Sequence, residues 1–286
     1  MEFLEFLLSI LRVSSPLIMA ALAGVWSERS GVINIALEGF MLMGALTGAV
    51  VGYSTQNAIL GFSMAGFVGV MFAGLYGYFV IARKTDQIVT GTAMNILSFG
   101  LAPFVTKLLF DSTGSTPSLD IQVRFHILPY VLVFITVLAS DYIFRKTRLG
   151  LKIIFAGEHP EALNASGRSL DQVRWQAVLV SGFLACSGGS FLSLFLASSY
   201  SPQMTAGRGF MALAAMIFGR WKVLPTLAAC LFFGMTESLQ TRLQGVHVAG
   251  IEIPVQFIQI LPSLITIVVL AGFFGKSRAP KSLGQS

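Results

Sequence analysis

Charge is what this 286-residue sequence has least of: Asp, Glu, Lys and Arg together make up 11% of it, against roughly 25% in a water-soluble domain. So little charge excludes a surface at ease in water, because several apolar runs are each long enough to cross a hydrocarbon layer about 30 Å thick. Cysteine is nearly absent. Cys186 and Cys230 both lie inside apolar runs, which argues against a disulfide framework and predicts buried thiols. Histidine is scarce too: His126, His159 and His247 fall in separate loops, without the His/Cys/carboxylate spacing of a metal or nucleophilic site. A phosphate-binding loop is missing as well. Gly275-Lys276-Ser277 has the right ending, but Leu270 stands where the leading glycine belongs, and the segment closes an apolar helix. An enzymatic reading and a cofactor held by this chain are both disfavoured, and energy for any active process has to come from a partner or an ion gradient.

What the sequence does have is 55% hydrophobic residues and a mean hydropathy of +0.77. Its net charge of +6 would raise the question of nucleic acid in a soluble protein. Here the basic residues close apolar runs: Arg83-Lys84, Arg145-Lys146-Thr147-Arg148, Arg220-Trp221-Lys222 and Lys276-Ser277-Arg278. That is the signature of cytoplasmic loops, so the charge reports orientation in a bilayer and not a nucleic-acid partner. The amino terminus carries Glu2 and Glu5 and no basic stretch, so the first run reads as a spanning anchor rather than a cleaved signal.

Apolar runs predict helices at about 3–26, 38–53, 58–82, 88–110, 127–145, 174–197, 206–219, 223–242 and 254–275. The expected fold is all-α, a single polytopic transmembrane bundle over residues 1–286 with about nine crossings, amino terminus outside and carboxyl terminus inside. Two runs, 38–53 and 206–219, reach only about 21–24 Å at 1.5 Å per residue, so each is either extended by its flanks or enters the bilayer as a partial helix shielded by protein. Arg12 is the awkward residue of the first helix. It either snorkels or faces protein beside Pro16.

The chain also echoes itself. Leu37-Glu38-Gly39-Phe40-Met41 resembles Gly207-Arg208-Gly209-Phe210-Met211, and the odd number of crossings between them sets the copies antiparallel, an inverted repeat with halves at 1–125 and 174–275. Small residues recur every four positions at Gly44, Gly48 and Gly52, at Gly61, Ala65, Gly69, Ala73 and Gly77, and at Ser181, Ala185, Gly189, Ser193 and Ala197. In lipid such stripes let helix backbones approach closely, which predicts a tight bundle.

Between the halves, residues 146–173 form the longest polar stretch, basic and therefore cytoplasmic. Pro160 suits a first helical position and Gly167 a helix end, leaving Glu161-Ala162-Leu163-Asn164-Ala165-Ser166 as a short helix on which Ala162, Leu163 and Ser166 share a face. Such a helix is either a rigid grip for a soluble motor or an ordinary interfacial helix on the headgroups.

These residues resemble the membrane subunits of ABC importers, in the branch that handles ribose, galactosides, branched-chain amino acids and nucleosides. Glu161-Ala162-Leu163 followed by Gly167 looks like that family's E-A-A-x-x-x-G coupling motif. Three stretches look closest to nucleoside-type members: Glu28-Arg29-Ser30-Gly31 through Gly39, Thr147-Arg148-Leu149-Gly150 with Ala156-Gly157-Glu158-His159-Pro160, and Gly207-Arg208-Gly209-Phe210 through Trp221. Ala36, where glycine is frequent, and Ser263 in Leu261-Pro262-Ser263, where an aromatic is common, depart from the pattern. The resemblance implies a multi-pass permease subunit of the bacterial inner membrane that forms a pathway for nucleosides or a related small polar solute. It also implies a second, often non-identical permease, cytoplasmic ATPases that bind ATP-Mg, and an external solute-binding lipoprotein. Pro160, Glu161, Ala162, Leu163 and Gly167 would carry the coupling, and Leu163→Asp would stop transport while leaving the chain inserted and folded.

Polar residues inside the apolar runs are the candidates for touching solute. Asn34 and Asn95 suit a sugar hydroxyl equally well as an interhelical amide bond, and Glu38 suits a helix cap or an ion pair. Phe40, Phe99 and Phe210 offer rings on which a flat base can stack. The rival reading is an ion-gradient-driven secondary transporter, with Glu38 as the plausible acid of the central runs. A passive channel or a scaffold would account for neither the capped helix nor the repeat.

Overall fold

The computed structural model describes residues 2–124, 126–243, 247–248, 251–252 and 279–285. Ten helices follow one another: α1 (Glu2–Arg29), α2 (Leu37–Thr55), α3 (Ala58–Gly77), α4 (Gln87–Phe110), α5 (Leu128–Lys146), α6 (Arg148–Glu158), α7 (Pro160–Ala165), α8 (Leu170–Phe191), α9 (Arg208–Phe218) and α10 (Val223–Leu243). Single π-helical turns, Tyr78–Ala82 and Leu192–Leu196, extend α3 and α8. A two-residue pairing of His247–Val248 with Ile251–Glu252 is the one strand contact among the described residues, and the fold is an all-helical bundle. Local chemistry starts the helices where the sequence allows a cap. Asn57 accepts from the Ile59 and Leu60 amides, Asp86 from those of Ile88 and Val89, and Ser169 from that of Gln172, each satisfying otherwise orphaned N–H groups.

Nine crossings are expected from the sequence; among the described residues seven helices are long and apolar enough to span, namely α1 to α5, α8 and α10. The ninth apolar run, about 254–275, lies outside the described residues. The two short runs divide. α2 reaches 19 residues because Ser54 and Thr55 return their hydroxyls to the carbonyls of Val50 and Val51, so the polar flank stays helical. α9 keeps 11 residues, about 16 Å, and is a partial helix.

α8 is the centre of the bundle: 83% of its spanning stretch is buried, against 28% for α5 at the periphery. The small-residue stripes explain how it gets there. A Cβ on Gly44 would lie 2.0 Å from the Cys186 carbonyl oxygen, one on Gly189 1.9 Å from that of Met41, and one on Gly69 2.2 Å from that of Gly182. Hydrogen at these positions is what lets α2, α3 and α8 touch backbone to backbone and recover dispersion contact that lipid tails would otherwise supply. Ser193 Oγ then donates to Ala45 O at 2.7 Å and Cys186 Sγ to Phe40 O at 2.9 Å, fastening the same contact. The opposite faces of α3, α4 and α5 leave Phe67, Met71, Ile96, Phe104, Leu108 and Phe134 exposed, the apolar surface expected against acyl chains.

The helix ends sort into two sets. At one end the α4–α5 and α8–α9 connections are joined, Thr116 N donating to Tyr200 O at 3.0 Å and Leu119 N to Ser198 O at 2.7 Å. At the other, residues 279–285 lie across the α1–α2 turn and α6, with Gly284 N on Gly31 O at 3.0 Å and Ser282 N on Gly157 O at 2.8 Å. Arg29, Arg145 and Lys222 line one cavity at this second end, which the positive-inside rule assigns to the cytoplasm.

Candidate functional site

Between α1 and α2 the chain runs unwound through residues 30–36, with Gly31 at φ +92°, a conformation favouring glycine. Irregular backbone inside a membrane persists only where protein satisfies its polar groups. Side chains from α3 and α4 do so here. Gln87 Oε1 accepts from Ile33 N at 2.7 Å, Tyr76 OH donates to Ile33 O, and Asn95 Nδ2 donates to Ile35 O at 3.0 Å. Asn95 Oδ1 also accepts from Gly39 N at 2.8 Å, so one amide stitches both sides of the α2 start. Asn34 Nδ2 donates to Ser181 Oγ at 2.9 Å, tying the segment to α8, while its Oδ1 is buried without a partner. Of the two roles open to Asn34 and Asn95, the interhelical amide bond is the one the structure shows.

Glu38 faces the start of α9. Its Oε1 accepts from Gly207 N at 2.9 Å and its Oε2 from Gly209 N at 2.7 Å, so the carboxylate neutralises two orphan donors and the positive end of a half-helix. Glu38 thus caps α9 and not its own helix. The Glu38-Gly39 and Arg208-Gly209 echoes thus meet face to face. A Cβ on Gly209 would come within 2.4 Å of Glu38 N, which is why glycine stands there.

Two acids were hidden from the sequence reading, which treats Glu38 as the acid of the central runs. Glu237 on α10 pairs with Arg208, whose Nη1 also donates to Met204 O at 3.1 Å. Glu28, buried at the end of α1, accepts from Trp221 Nε1 at 2.7 Å and so links α1 to the turn before α10. The signal for Glu237 was its place in the apolar run holding no other acid. Glu28 and Trp221 were each inside a stretch that carries the family resemblance.

The aromatic candidates separate by burial. Phe40 is sealed at 0% exposure with its ring edge-on to Phe72 and Tyr76, and it is a core residue. Phe99 on α4 and Phe210 on α9 stay open at 42% and 49%. Ala36 is fully buried beside Gly91 of α4, so its methyl packs in the core, away from any open surface. Ser263 lies outside the described residues. Arg12 stays exposed but also reaches protein: its Nη2 donates to Phe195 O at 3.3 Å.

In the 146–173 segment, α6 is capped by Thr147 and α7 has Pro160 at its first turn. Gly167, at φ +75°, ends α7 in a Schellman motif, Arg168 N reaching Leu163 O at 3.4 Å and Gly167 N reaching Asn164 O at 2.9 Å. The expected shared face of Ala162, Leu163 and Ser166 is not what forms. Leu163 turns inward at 5% exposure against α6 and α8, while Glu161, Ala162, Asn164, Ala165 and Ser166 face outward. On a single exposed turn the one large apolar side chain gains most by burial, and it anchors the helix.

Residues 6–270 match the family described as branched-chain amino acid transport system / permease component. The chain belongs to that permease family. The permease is 34% identical over 295 residues to the nucleoside ABC transporter permease protein NupC of Lactococcus lactis, covering 95% of this chain and 92% of the relative. It is 33% identical over 298 residues to the guanosine ABC transporter permease protein NupQ of Bacillus subtilis, with the same two coverages. Its fold matches a solved metal-chelate type ABC transporter in an inward-facing conformation, at a TM-score of 0.52 and 16% identity over 94% of this chain and 85% of the other. The resemblance seen in the 28–39, 147–160 and 207–221 stretches is borne out. This permease is a multi-pass membrane protein of the ABC transporter class.

Proposed function

We propose that this permease is one membrane subunit of an importer for nucleosides, driven by cytoplasmic ATPases that grip α7. The complex would hold a second, non-identical permease and an external solute-binding lipoprotein, with ATP-Mg on the ATPases alone. The observation that carries the coupling role is α7 itself: a helix begun by Pro160 and closed by Gly167, pinned by Leu163, its outward face polar and small. A rigid turn seated on α6 and α8 transmits force where a loose loop would absorb it. The nucleoside assignment is supported by the relatives. In this reading Pro160 and Gly167 fix the ends of the lever, Glu161 and Ala162 meet the ATPase, and Leu163 keys the lever into the bundle.

Force on α7 has a short route inward. α8 begins four residues after Ser166 and carries Ser181, Cys186 and Ser193, which bond to Asn34, Phe40 and Ala45 of the α2 region. α2 in turn holds α9 through Glu38. A tilt of α8 would move both repeat halves, 1–125 and 174–275, about their shared contact, shifting the population between inward-open and outward-open forms. Asn34, Glu38, Asn95 and Phe40 shape this hinge from inside, leaving Phe99 and Phe210 as the rings open to solute.

The test uses the two buried cysteines, which leave the surface without a thiol. Asn164→Cys in the intact complex is expected to react with a membrane-impermeant maleimide only from the cytoplasmic side, and to be protected by the ATPase. Labelling from outside removes the coupling assignment. Accumulation of nucleoside by the permease alone in liposomes under an imposed proton or sodium gradient would favour the secondary-transporter reading instead.

A further inference from the structure

The end of the bundle opposite α7 carries a charge arrangement that transport coupling does not use. Arg12 of α1 and Arg124 of the α4–α5 connection converge on one helix end, Arg12 Nη2 donating to Phe195 O at 3.3 Å and Arg124 Nη2 to Phe195 O at 3.2 Å and Leu196 O at 3.4 Å. With Ile121, His126, Tyr130 and Phe195 they line a cavity of about 320 Å³, with no carboxylate among the described lining residues. Neither guanidinium has an acidic partner among the described residues. Arg124 Nε is buried without a hydrogen bond. Burial, and after it the neighbouring Arg12, pushes the Arg124 pKa below its ordinary value, as an uncompensated cation requires.

Capping the end of α8 does not account for both charges. A helix carboxyl end presents about half a negative charge, which one guanidinium more than offsets. The second leaves a net positive cavity that an anion would complete. An apolar groove of about 610 Å³ adjoins it between α1, α5 and α10, lined by Leu11, Tyr130, Val131, Phe134, Leu227 and Leu231 among others. Tyr130 is common to both, and Leu11 adjoins Arg12. A cationic head cavity beside an apolar groove at the membrane's outer end matches one class of molecule, a diacyl lipid with a phosphate.

We propose that Arg12 and Arg124, with His126, hold the phosphate of an anionic phospholipid in the outer leaflet, one acyl chain lying in the groove between α1, α5 and α10. The lipid would complete the charge at the end of α8 and fill the groove beside α1. Arg suits the role because its planar fork matches phosphate oxygens and keeps its charge when partly buried.

The test is native mass spectrometry of the complete complex purified in mild detergent, supplied with nanodiscs of phosphatidylglycerol or phosphatidylcholine. Phosphatidylglycerol should stay bound to the wild type, and retention should fall about twenty-five-fold in Arg12→Gln/Arg124→Gln, two guanidiniums contributing about fivefold each. The Lys/Lys double variant should keep most of the binding. Leu227→Trp, which fills the groove and leaves the arginines in place, should also release the lipid, so the proposal stays testable if the glutamine pair fails to fold. Equal retention by wild type and both variants overturns it, as does equal retention of phosphatidylcholine. If inorganic phosphate displaces phosphatidylglycerol and Leu227→Trp changes nothing, the site takes a free anion and the lipid is excluded. Crosslinking that finds the second permease or the binding protein filling the groove overturns it as well.

Discussion

Glu38 brings a carboxylate into the interior of an apolar bundle at 3% exposure, and two backbone amides of another helix are what hold it there. Removing the side chain with Glu38→Ala leaves two buried donors unmade, at about 1–3 kcal/mol each, so thermal unfolding in detergent should drop by several degrees. Glu38→Gln keeps one acceptor and should lie between. A proton-coupling role would erase that order in a transport assay, with Gln as inactive as Ala. The phenylalanines separate the same way. Phe40→Ala should destabilise by about 3–5 kcal/mol as a core truncation. Phe210→Ala should leave unfolding nearly unchanged while lowering nucleoside uptake, since stacking on one base is worth about 1–3 kcal/mol. Equal thermal losses in both variants would remove Phe210 from the pathway. At this scale the sequence marked polar residues inside apolar runs and left their partners open. Asn34, Asn95 and Glu38 were visible as polar groups in apolar runs, yet whether each meets solute or backbone depends on a fold that brings residues 38 and 207 together. Nothing local to either sequence position encodes that distance.

Among the elements, α7 and α8 carry the clearest expectations. Ala162→Asp alters the outward face of α7 without touching its anchor, so it should abolish ATP-driven uptake while the complex still purifies folded. Leu163→Asp, the substitution the sequence points to, instead places a carboxylate in a buried seat and should loosen α7 itself, seen as faster proteolysis of the 160–168 segment. If Ala162→Asp transports normally, α7 is an interfacial helix. Within α8, Gly189→Ala would force a Cβ to 1.9 Å from the Met41 carbonyl oxygen, and expression in folded form should fail. The stripe was legible from its four-residue spacing, and so were Pro160 and Gly167 at the ends of α7. The length of α2 was not, because Ser54 and Thr55 read as loop residues until their hydroxyls are seen bonded one turn back.

For the molecule as a whole, the class of protein was legible from hydropathy, and the basic residues that end the runs predict its orientation. Of the nine expected runs, that at about 254–275 lies outside the described residues; the other eight are seven full-length helices and one partial one, because hydropathy counts apolar residues and cannot tell a half-helix held by Glu38 from a short span. The inward orientation makes a measurable claim. Alkaline phosphatase fused after Glu158 should be inactive and one fused after Gln122 active, each reporting its side of the membrane. The clasp formed by residues 279–285 adds a mechanical constraint of its own. It bridges the root of the lever at Gly157 to the unwound elbow at Gly31, so whatever rocks α6 must drag the entry to α2 along with it. A bulky group grafted onto Ser282 would therefore act as a brake on turnover from a position far from both the solute and the ATP.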